Sequence, residues 1–307
     1  MEKQLQPYFS YRAYMQKLFS QRVYKISIDG GFSCPNRDGT KSYQGCIFCD
    51  AQGSSSKTNP QNTPIKAQVL KNLKIRQSRY KAKKFIAYFQ SFTNTYAPLE
   101  VLKKRYDEAV FAHPDIIGLS IATRPDSIDE EKIKLIASYK EKLPFVSLEY
   151  GLQTIHEKTL QLINRQEHFS DFLKALELAR KYQIHPVAHV ILNLPGEGRK
   201  EMLETAEALR ALKIEGLKIH LLAALKNTAL EQLFIEGKWQ GLSFQDSVSL
   251  CCDFLERIPK ATVIHRVSSQ NGHHQDLVHP LWMKEKKEPF MEALKAEFFR
   301  RQSYQGS

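Results

Sequence analysis

Three cysteines lie within sixteen residues of this chain, at Cys34, Cys46 and Cys49, in the spacing C-x11-C-x2-C. Thiolates bind zinc, but a structural zinc site normally closes with four protein ligands. An iron–sulfur cluster held by three cysteines leaves one iron open to a further ligand. The spacing therefore predicts an iron–sulfur cluster with a reactive position, while zinc with a fourth ligand such as Asp50 is the structural alternative.

The composition narrows the class of protein. The formal net charge of +12 over 307 residues favours a polyanionic partner, nucleic acid first and an anionic membrane second. No apolar run approaches the roughly 20 residues of a membrane span, and the first residues lack the apolar core of a signal peptide. Five cysteines, three of them clustered, fit metal binding in a reducing compartment better than disulfides. We therefore expect a cytoplasmic protein without membrane association.

Strand-like and helical segments alternate along the chain, which predicts βαβ units and a parallel sheet. The strand-like segments are residues 23–28, 85–89, 116–122, 145–152, 186–194 and 216–223, and more weakly 262–267. Helical patterns fall at residues 64–83, 98–111, 128–140, 157–182, 199–212, 228–236 and 244–257. A repeat of about thirty residues is typical of β/α barrels, although a closed barrel has eight units. The pattern predicts an α/β fold, a partial parallel β/α barrel of about six units.

Extensions flank this predicted core. Residues 1–24 are rich in aromatic side chains and form an N-terminal extension that we expect to pack against the core. Residues 25–260 form the barrel, and residues 261–307 form a C-terminal extension with a final strand and a charged helix. The cysteine loop follows the first strand directly. In a parallel β/α array this location is the functional end, where the carboxyl ends of the strands meet.

The cysteine loop, its lead-in over residues 30–39 and the β/α units resemble the radical S-adenosylmethionine (SAM) superfamily. Within it the chain resembles YtqA/YhcC-type proteins, also called MnmL-type, which are relatives of the elongator catalytic subunit's radical SAM domain. The x11 spacing departs from the superfamily's commonest spacing and matches this subgroup. The resemblance implies one [4Fe-4S] cluster on Cys34, Cys46 and Cys49. It also implies reductive cleavage of SAM to a deoxyadenosyl radical, with the electron supplied by reduced flavodoxin or ferredoxin.

The resemblance also implies SAM-binding residues at the ends of the next strands. The segment after residue 89 occupies the place where the superfamily usually holds the SAM amino group with Gly-Gly-Glu. Here the acid is absent, and the polar contacts would come from Gln90, Ser91, Thr93 and Asn94. Arg124 belongs to an elongator-like Thr-Arg-Pro-Asp segment, although a salt-bridged turn with Asp126 explains it equally well. Glu149 resembles the carboxylate that contacts SAM hydroxyls, and an acid within a buried strand needs a partner.

A basic stretch follows the cysteine loop and contains no acid. It comprises Lys71, Lys74, Arg76, Arg79, Lys81, Lys83 and Lys84. A solvated helix face is the simpler interpretation. The MnmL-type resemblance instead implies tRNA, with the wobble uridine converted from a carboxymethylaminomethyl to an aminomethyl side chain. The alternatives are a radical SAM enzyme acting on a porphyrin precursor or a peptide, and a zinc-stabilised RNA-binding protein without catalysis.

Several histidines and one lysine have no role assigned by the resemblance. His265, His273, His274 and His279 could bind a second metal or lie in a lid, and a plain surface loop is the commoner case. Lys218 and His220 are two residues apart on a predicted strand, so their side chains point to the same face. They are candidates for a substrate contact or a proton donor.

Overall fold

The main sheet of the protein is parallel, curled and open. We describe a computed structural model over residues 6–51, 53, 63–268, 275–285 and 287–307. Seven strands pair in the order β1-β2-β3-β4-β5-β6-β8, so each helical connection returns the chain to the next position of one curved sheet. They are β1 (Val23–Ile28), β2 (Lys84–Phe89), β3 (Ile116–Thr123), β4 (Phe145–Gln153), β5 (His185–Leu192), β6 (Gly216–Leu221) and β8 (Val263–Arg266). The predicted partial β/α barrel is confirmed.

Helices connect the strands, and several of them start at a polar side-chain cap. Their bounds are α1 (Tyr11–Phe19), α2 (Ile65–Tyr80), α3 (Leu99–Val110), α4 (Glu130–Ser138), α5 (Glu157–Leu162), α6 (Phe169–Lys181), α7 (Arg199–Ala211), α8 (Ala229–Ile235), α9 (Phe244–Arg257) and α10 (Lys287–Arg301). The helices with such a cap include α1, α4, α8 and α9. The side chain of Asp129, for example, accepts from the Lys132 amide (2.9 Å) ahead of α4, which satisfies an otherwise unpaired N–H. None of the helices in these ranges is both long and apolar enough to cross a bilayer.

The two faces of the main sheet differ in polarity. Side chains alternate along each strand, so one set faces the helices and the other faces the inside of the curl. The outer set, including Phe89, Leu148 and Val190, packs with the helices into one large apolar core. The inner set contains polar and charged residues such as Glu149 and Lys218, both buried. A parallel sheet covered on both faces is normally apolar throughout, so the polar interior marks the inside of the curl as the candidate site.

The N-terminal extension closes the amino end of the curled sheet, which confirms the expected packing. Met15 packs against Ile86 and Phe145, while the ring of Tyr14 stacks on His185 with centroids 5.5 Å apart. The C-terminal tail meets the same region, because the Gln305 amide donates to the Pro7 carbonyl (2.8 Å). The two extensions thus contact each other. Strand β8, which the predicted boundary at residue 261 assigns to the C-terminal extension, is an edge strand of the main sheet.

A second, two-stranded sheet was not predicted from the sequence. Strand β7 (Ala224–Leu225) pairs antiparallel with β9 (Leu277–His279). These strands are two and three residues long, too short to produce a recognisable alternating pattern. Helix α8 follows β7, and the amide of Leu230 in α8 donates to the Ile47 carbonyl in the cysteine loop (2.9 Å). The small sheet therefore helps to hold the cysteine loop in place.

Candidate active site

The cysteine loop folds as a series of tight turns at the carboxyl end of β1. The Arg37 amide donates to the Cys34 carbonyl (2.8 Å), and the Cys49 amide donates to the Cys46 carbonyl (3.0 Å). Gly45 lies between these turns with a φ of 73°, where other residues are strained. A Cβ at Gly45 would also lie 2.9 Å from Arg37 Nε, so the glycine allows the arginine to cross the loop.

Cys46 lies in an environment that stabilises a thiolate. Its side chain is buried, and its sulfur accepts from Asn36 Nδ2 (3.6 Å) and from an Arg165 guanidinium nitrogen (3.7 Å). The hydrogen bond from the neighbouring Cys49 thiol, followed by the charge of Arg165, holds the pKa of Cys46 well below its usual range. The thiolate is the form that binds metals, and hydrogen bonds to sulfur tune the potential of an iron–sulfur cluster. The donor set around Cys46 therefore fits an iron–sulfur ligand.

The three cysteines share one loop but are not gathered into a ready-made metal site. Cys46 and Cys49 contact each other, whereas Cys34 begins the first turn of the loop. Over the part of the chain that the structure describes, no three His, Cys, Asp or Glu side chains are close enough to hold a metal ion. Ligation by all three cysteines is therefore a prediction, and the donors around Cys46 support it.

A network of ion pairs, which we call the loop network, connects the β3–α4 loop to Cys46. Asp126 accepts from Lys41 Nζ (2.6 Å) and from Arg124 (2.7 Å), and Arg124 pairs in turn with Glu167 (3.1 Å). Glu167 accepts from Arg165 Nε (2.5 Å), the same arginine that reaches Cys46. Arg124 and Asp126 thus form the salt-bridged turn considered from the sequence. One Arg124 guanidinium nitrogen is buried and has no hydrogen-bond partner over the ranges described above.

Two charged members of the loop network have shifted pKa values. Burial alone would raise the pKa of Asp126, but the hydrogen bond and charge of Arg124, together with Lys41, lower it to about 2. Burial raises the pKa of Glu167 to about 7, and the charges of Arg165 and Arg124 oppose this shift. Sequence reasoning missed Arg165 and Glu167. They lie in the connection between α5 and α6, where no pattern distinguishes them from ordinary loop residues.

The segment after β2 lies between the cysteine loop and the end of β3. The Thr93 amide donates to the Ser33 carbonyl (3.1 Å), and the Asn94 amide donates to the Ala122 carbonyl (3.2 Å). Gln90 Oε1 accepts from Ser27 Oγ (3.1 Å), and Ser91 is buried. Asn94 Oδ1 is buried and has no hydrogen-bond partner in the described part of the chain, so it is an acceptor available to a ligand amine. Contact between these residues and the SAM amino group stays a prediction.

Glu149 has a different environment from the one expected from the sequence. One carboxylate oxygen accepts from Lys25 Nζ and from Ser120 Oγ (2.7 Å), and the other accepts from Lys218 Nζ and from His189 Nε2 (2.9 Å). A carboxylate offers about four acceptor positions, and all are filled. Although burial opposes it, the charges of Lys218 and Lys25 hold the pKa of Glu149 well below its usual range. We call these five residues the interior cluster. SAM hydroxyls would have to replace one of these donors.

The remaining candidates divide between the interior and the surface. Lys218 and His220 both face the inside of the curl, as their spacing predicted. His265 lies on the same side, 3.4 Å from Lys25 Nζ, while His279 stacks on Phe234 at 4.4 Å in the small sheet. Neither histidine belongs to a metal-binding group in the described ranges. His273 and His274 lie outside the described residues.

The basic stretch runs from the middle of α2 to the end of the barrel opposite to the cysteine loop. Helix α2 starts at the carboxyl end, where Gln68 Nε2 donates to the Asp29 carbonyl (2.9 Å), and ends where Tyr80 stacks on Tyr24 near the start of β1. Lys71, Lys74, Arg79, Lys81 and Lys83 are exposed, Arg76 is half-buried, and Lys84 pairs with Asp115 (3.0 Å). Closeness in sequence to the cysteines is therefore not closeness in space.

Two family models match the chain. The model of the Radical SAM superfamily matches residues 36–209, and the model of the radical SAM C-terminal domain matches residues 214–297. The chain belongs to the radical SAM superfamily. It is 39% identical to YtqA of Bacillus subtilis over 97% of this chain and 92% of that protein. It is also 34% identical to YhcC of Escherichia coli over 87% and 85% of the two chains, which confirms the YtqA/YhcC type.

A solved structure shares the radical SAM fold described here. Archaeal Elp3 from Methanocaldococcus infernus superposes with a TM-score of 0.71 at 15% sequence identity, covering 92% of this chain and 64% of that one. Membership of the radical SAM superfamily makes this protein an enzyme whose cofactors are a [4Fe-4S] cluster and SAM, and whose reaction needs an electron donor. The residues that hold these cofactors are proposed below.

Proposed function

We propose that this radical SAM enzyme modifies the wobble uridine of tRNA, converting a carboxymethylaminomethyl side chain to an aminomethyl one. The MnmL-type resemblance supports this substrate. The structural observation that supports an RNA partner is the run of exposed cations from Lys71 to Lys83, since exposed Lys and Arg side chains attract phosphates. Reduced flavodoxin or ferredoxin is the proposed electron donor.

The proposed cofactor site lies between the cysteine loop and the ends of β2 and β3. Cys34, Cys46 and Cys49 would hold the cluster, with Arg165 and Asn36 donating to the Cys46 sulfur. The unpaired Arg124 nitrogen is suited to the carboxylate of SAM, and Asn94 Oδ1 is suited to its amino group. When bound, the cluster and SAM supply the radical chemistry. The protein positions both and separates them from water.

An RNA that meets both the basic stretch and the active site must follow the side of the barrel. Helix α2 has 16 residues, so the two ends are about 24 Å apart at a rise of roughly 1.5 Å per residue. The basic stretch would then hold the body of the tRNA while the anticodon reaches the carboxyl ends of the strands.

Mass spectrometry of tRNA nucleosides tests the function directly. A strain lacking this protein should accumulate carboxymethylaminomethyluridine and lack the aminomethyl product. Expression of the wild-type chain or of Cys251→Ala should restore the product, whereas Cys46→Ala should not. Cys251 is a matched control because it is equally buried, in α9, where its sulfur faces the Val267 carbonyl. An unchanged nucleoside profile in the deletion strain would remove the tRNA function, and rescue by Cys46→Ala would remove the proposed cluster ligand.

Charge removal in the basic stretch tests the RNA contact. In the double variant Arg79→Gln/Lys83→Gln, the slope of log binding constant against log salt should become shallower by about 1.5, because each phosphate contact contributes roughly 0.7–0.9. Binding of tRNA is measured by filter retention at several salt concentrations. The control Lys174→Gln/Lys213→Gln removes two exposed cations elsewhere on the surface. Equal slopes for the two double variants would place the RNA on another face.

A further inference from the structure

Two lysines of the interior cluster, Lys218 buried and Lys25 partly buried, share a single carboxylate. Lys25 on β1 and Lys218 on β6 both bind Glu149, whose remaining acceptor positions are taken by Ser120 and His189. The side chain of Lys218 is 5% exposed and that of Glu149 is fully buried. One carboxylate neutralises one of two lysines, so the interior carries an unbalanced positive charge.

A third cation adds to this excess. Strand β8 has a bulge at His265, so His265 and Arg266 both turn toward the inside of the curl, with Arg266 in register with Lys218. Arg266 is exposed and has no ion pair or hydrogen bond with any residue, within the ranges that the structure describes. Burial is the main cause that lowers the pKa values of Lys25, Lys218 and His189. The positive charge of Arg266 lowers them further.

The interior histidines do not change the sign of this charge. Burial lowers the pKa of His189 and of His185 to about 4, and it holds the pKa values of His220 and His265 well below the usual range. All four are therefore neutral near pH 7. Three basic side chains, Lys25, Lys218 and Arg266, then face one acid, Glu149. Burial, with the charges of Lys25 and Arg266, also lowers the pKa of Lys218 to about 7, so a bound anion would favour its protonated form.

A free hydrogen-bonding group lies beside these cations. His220 is two residues beyond Lys218 on the same face of β6, and its Nε2 atom is buried with no hydrogen-bond partner among the residues that the structure describes. In register across the sheet, Lys218 and Arg266 align with His189 and Gly151. The Gly151 carbonyl accepts from Arg165 (2.7 Å), the residue that also reaches Cys46. Arg165 thus joins Cys46 to the β4 position that aligns with these cations across the sheet.

We infer that Lys218 and Arg266, with His220 beside them, bind a carboxylate group of the substrate inside the barrel. This inference rests on the proposed function, in which the group removed from the uridine ends in a carboxylate. A carboxylate accepts from an ammonium and a guanidinium in charge-assisted hydrogen bonds and balances the excess positive charge. Holding this end of the side chain places the neighbouring carbon and nitrogen in the space between the interior cluster and the cysteine loop.

Two anticodon stem-loop RNAs separate this site from general phosphate binding. One carries carboxymethylaminomethyluridine, and the other carries its neutral carboxamide analogue. The wild-type protein should bind the first about tenfold more tightly, as expected for a charge-assisted contact. Arg266→Gln and Lys218→Met should each reduce this preference toward one. Lys226→Gln is the matched control, because Lys226 is exposed on the segment that follows β6 and contributes a backbone contact to Asp276. It should keep the preference.

Other outcomes overturn the inference in recognisable ways. An equal loss of affinity for both RNAs in Arg266→Gln would show that the arginine binds phosphate. A loss of SAM affinity in the same variant, measured by calorimetry, would assign the cations to the carboxylate of SAM. If the wild-type protein binds neither RNA, the proposed tRNA function fails. The carboxylate site is then tested with acetate against chloride at equal ionic strength. A larger thermal stabilisation by acetate that Arg266→Gln abolishes supports the site, and its absence in the wild type refutes it.

Discussion

The loop network and the interior cluster are both charged and largely buried, but their charge balance differs. In the loop network Lys41, Arg124 and Arg165 meet three groups that can be negative, namely Asp126, Glu167 and the Cys46 thiolate. In the interior cluster Lys25 and Lys218 meet Glu149 alone, and Arg266 adds a further positive charge. The charges of the loop network balance when its members are ionised. Within the described ranges, the interior cluster has one negative partner too few.

This difference separates a positioning role from a binding role. Buried charges cost several kcal/mol each unless they are paired, so a balanced network fixes the geometry of the groups that it connects. An unbalanced cluster retains part of that cost, and a ligand of opposite charge relieves it. Ionisable groups with strongly perturbed pKa values are accordingly frequent at functional sites. The loop network positions Cys46, and the interior cluster has unsatisfied capacity for an anion.

Removing Glu149 should have the largest effect on stability. Glu149→Gln leaves the buried Lys218 and the partly buried Lys25 without an anion. Breaking a buried pair in this way costs about 3–5 kcal/mol. Urea unfolding of the metal-free protein measures the change. The control Glu215→Gln breaks a half-exposed pair with Arg180 and should cost about 1 kcal/mol or less. Equal losses in the two variants would mean that the interior cluster is not held together by Glu149.

Removing Arg165 should destabilise the protein less than removing Glu149 does, because Glu167 still forms its ion pair with Arg124. We expect Arg165→Met to cost about 2–3 kcal/mol, the range for losing a charged hydrogen-bonding partner of a buried group. The variant also removes a donor to the Cys46 sulfur, so the midpoint potential of the reconstituted cluster should become more negative in an EPR-monitored titration. Arg180→Met, on the surface, should leave the potential unchanged. A shift of equal size in both variants would remove the positioning role of Arg165.

The smallest effect should be a pH dependence that belongs to Lys218. Its pKa is about 7 in the folded protein against 10.5 normally, so the folded state binds fewer protons than the unfolded state between these values. Stability therefore rises with pH across this window, by about 2 kcal/mol between pH 7 and 9 at roughly 1.4 kcal/mol per pKa unit. In Lys218→Met that part of the rise should disappear. Parallel stability profiles for the two proteins from pH 7 to 9 would contradict the assignment.

The sequence predicted the strands well because their patterns are local. Strand β1 has its predicted bounds, residues 23–28, and helix α9 has its predicted bounds, residues 244–257. The partners of Glu149 could not be predicted, because they come from four other strands and depend on how the sheet curls. The same holds for Arg165 and Glu167, whose positions beside Cys46 and Arg124 arise from packing between loops. The cysteine spacing was recognisable because three residues of one loop carry it.

The boundary between the two matched family regions does not separate two folding units. It falls between α7 and β6, yet β6 is the next strand of the same sheet, and Leu230 beyond it holds Ile47 of the cysteine loop. A fragment ending at residue 213 would expose the full edge of β5 and release one side of the cysteine loop. Unpaired strand edges aggregate, so neither part is a self-sufficient module. We expect one cooperative unfolding transition, and the chemistry of the first region depends on the presence of the second.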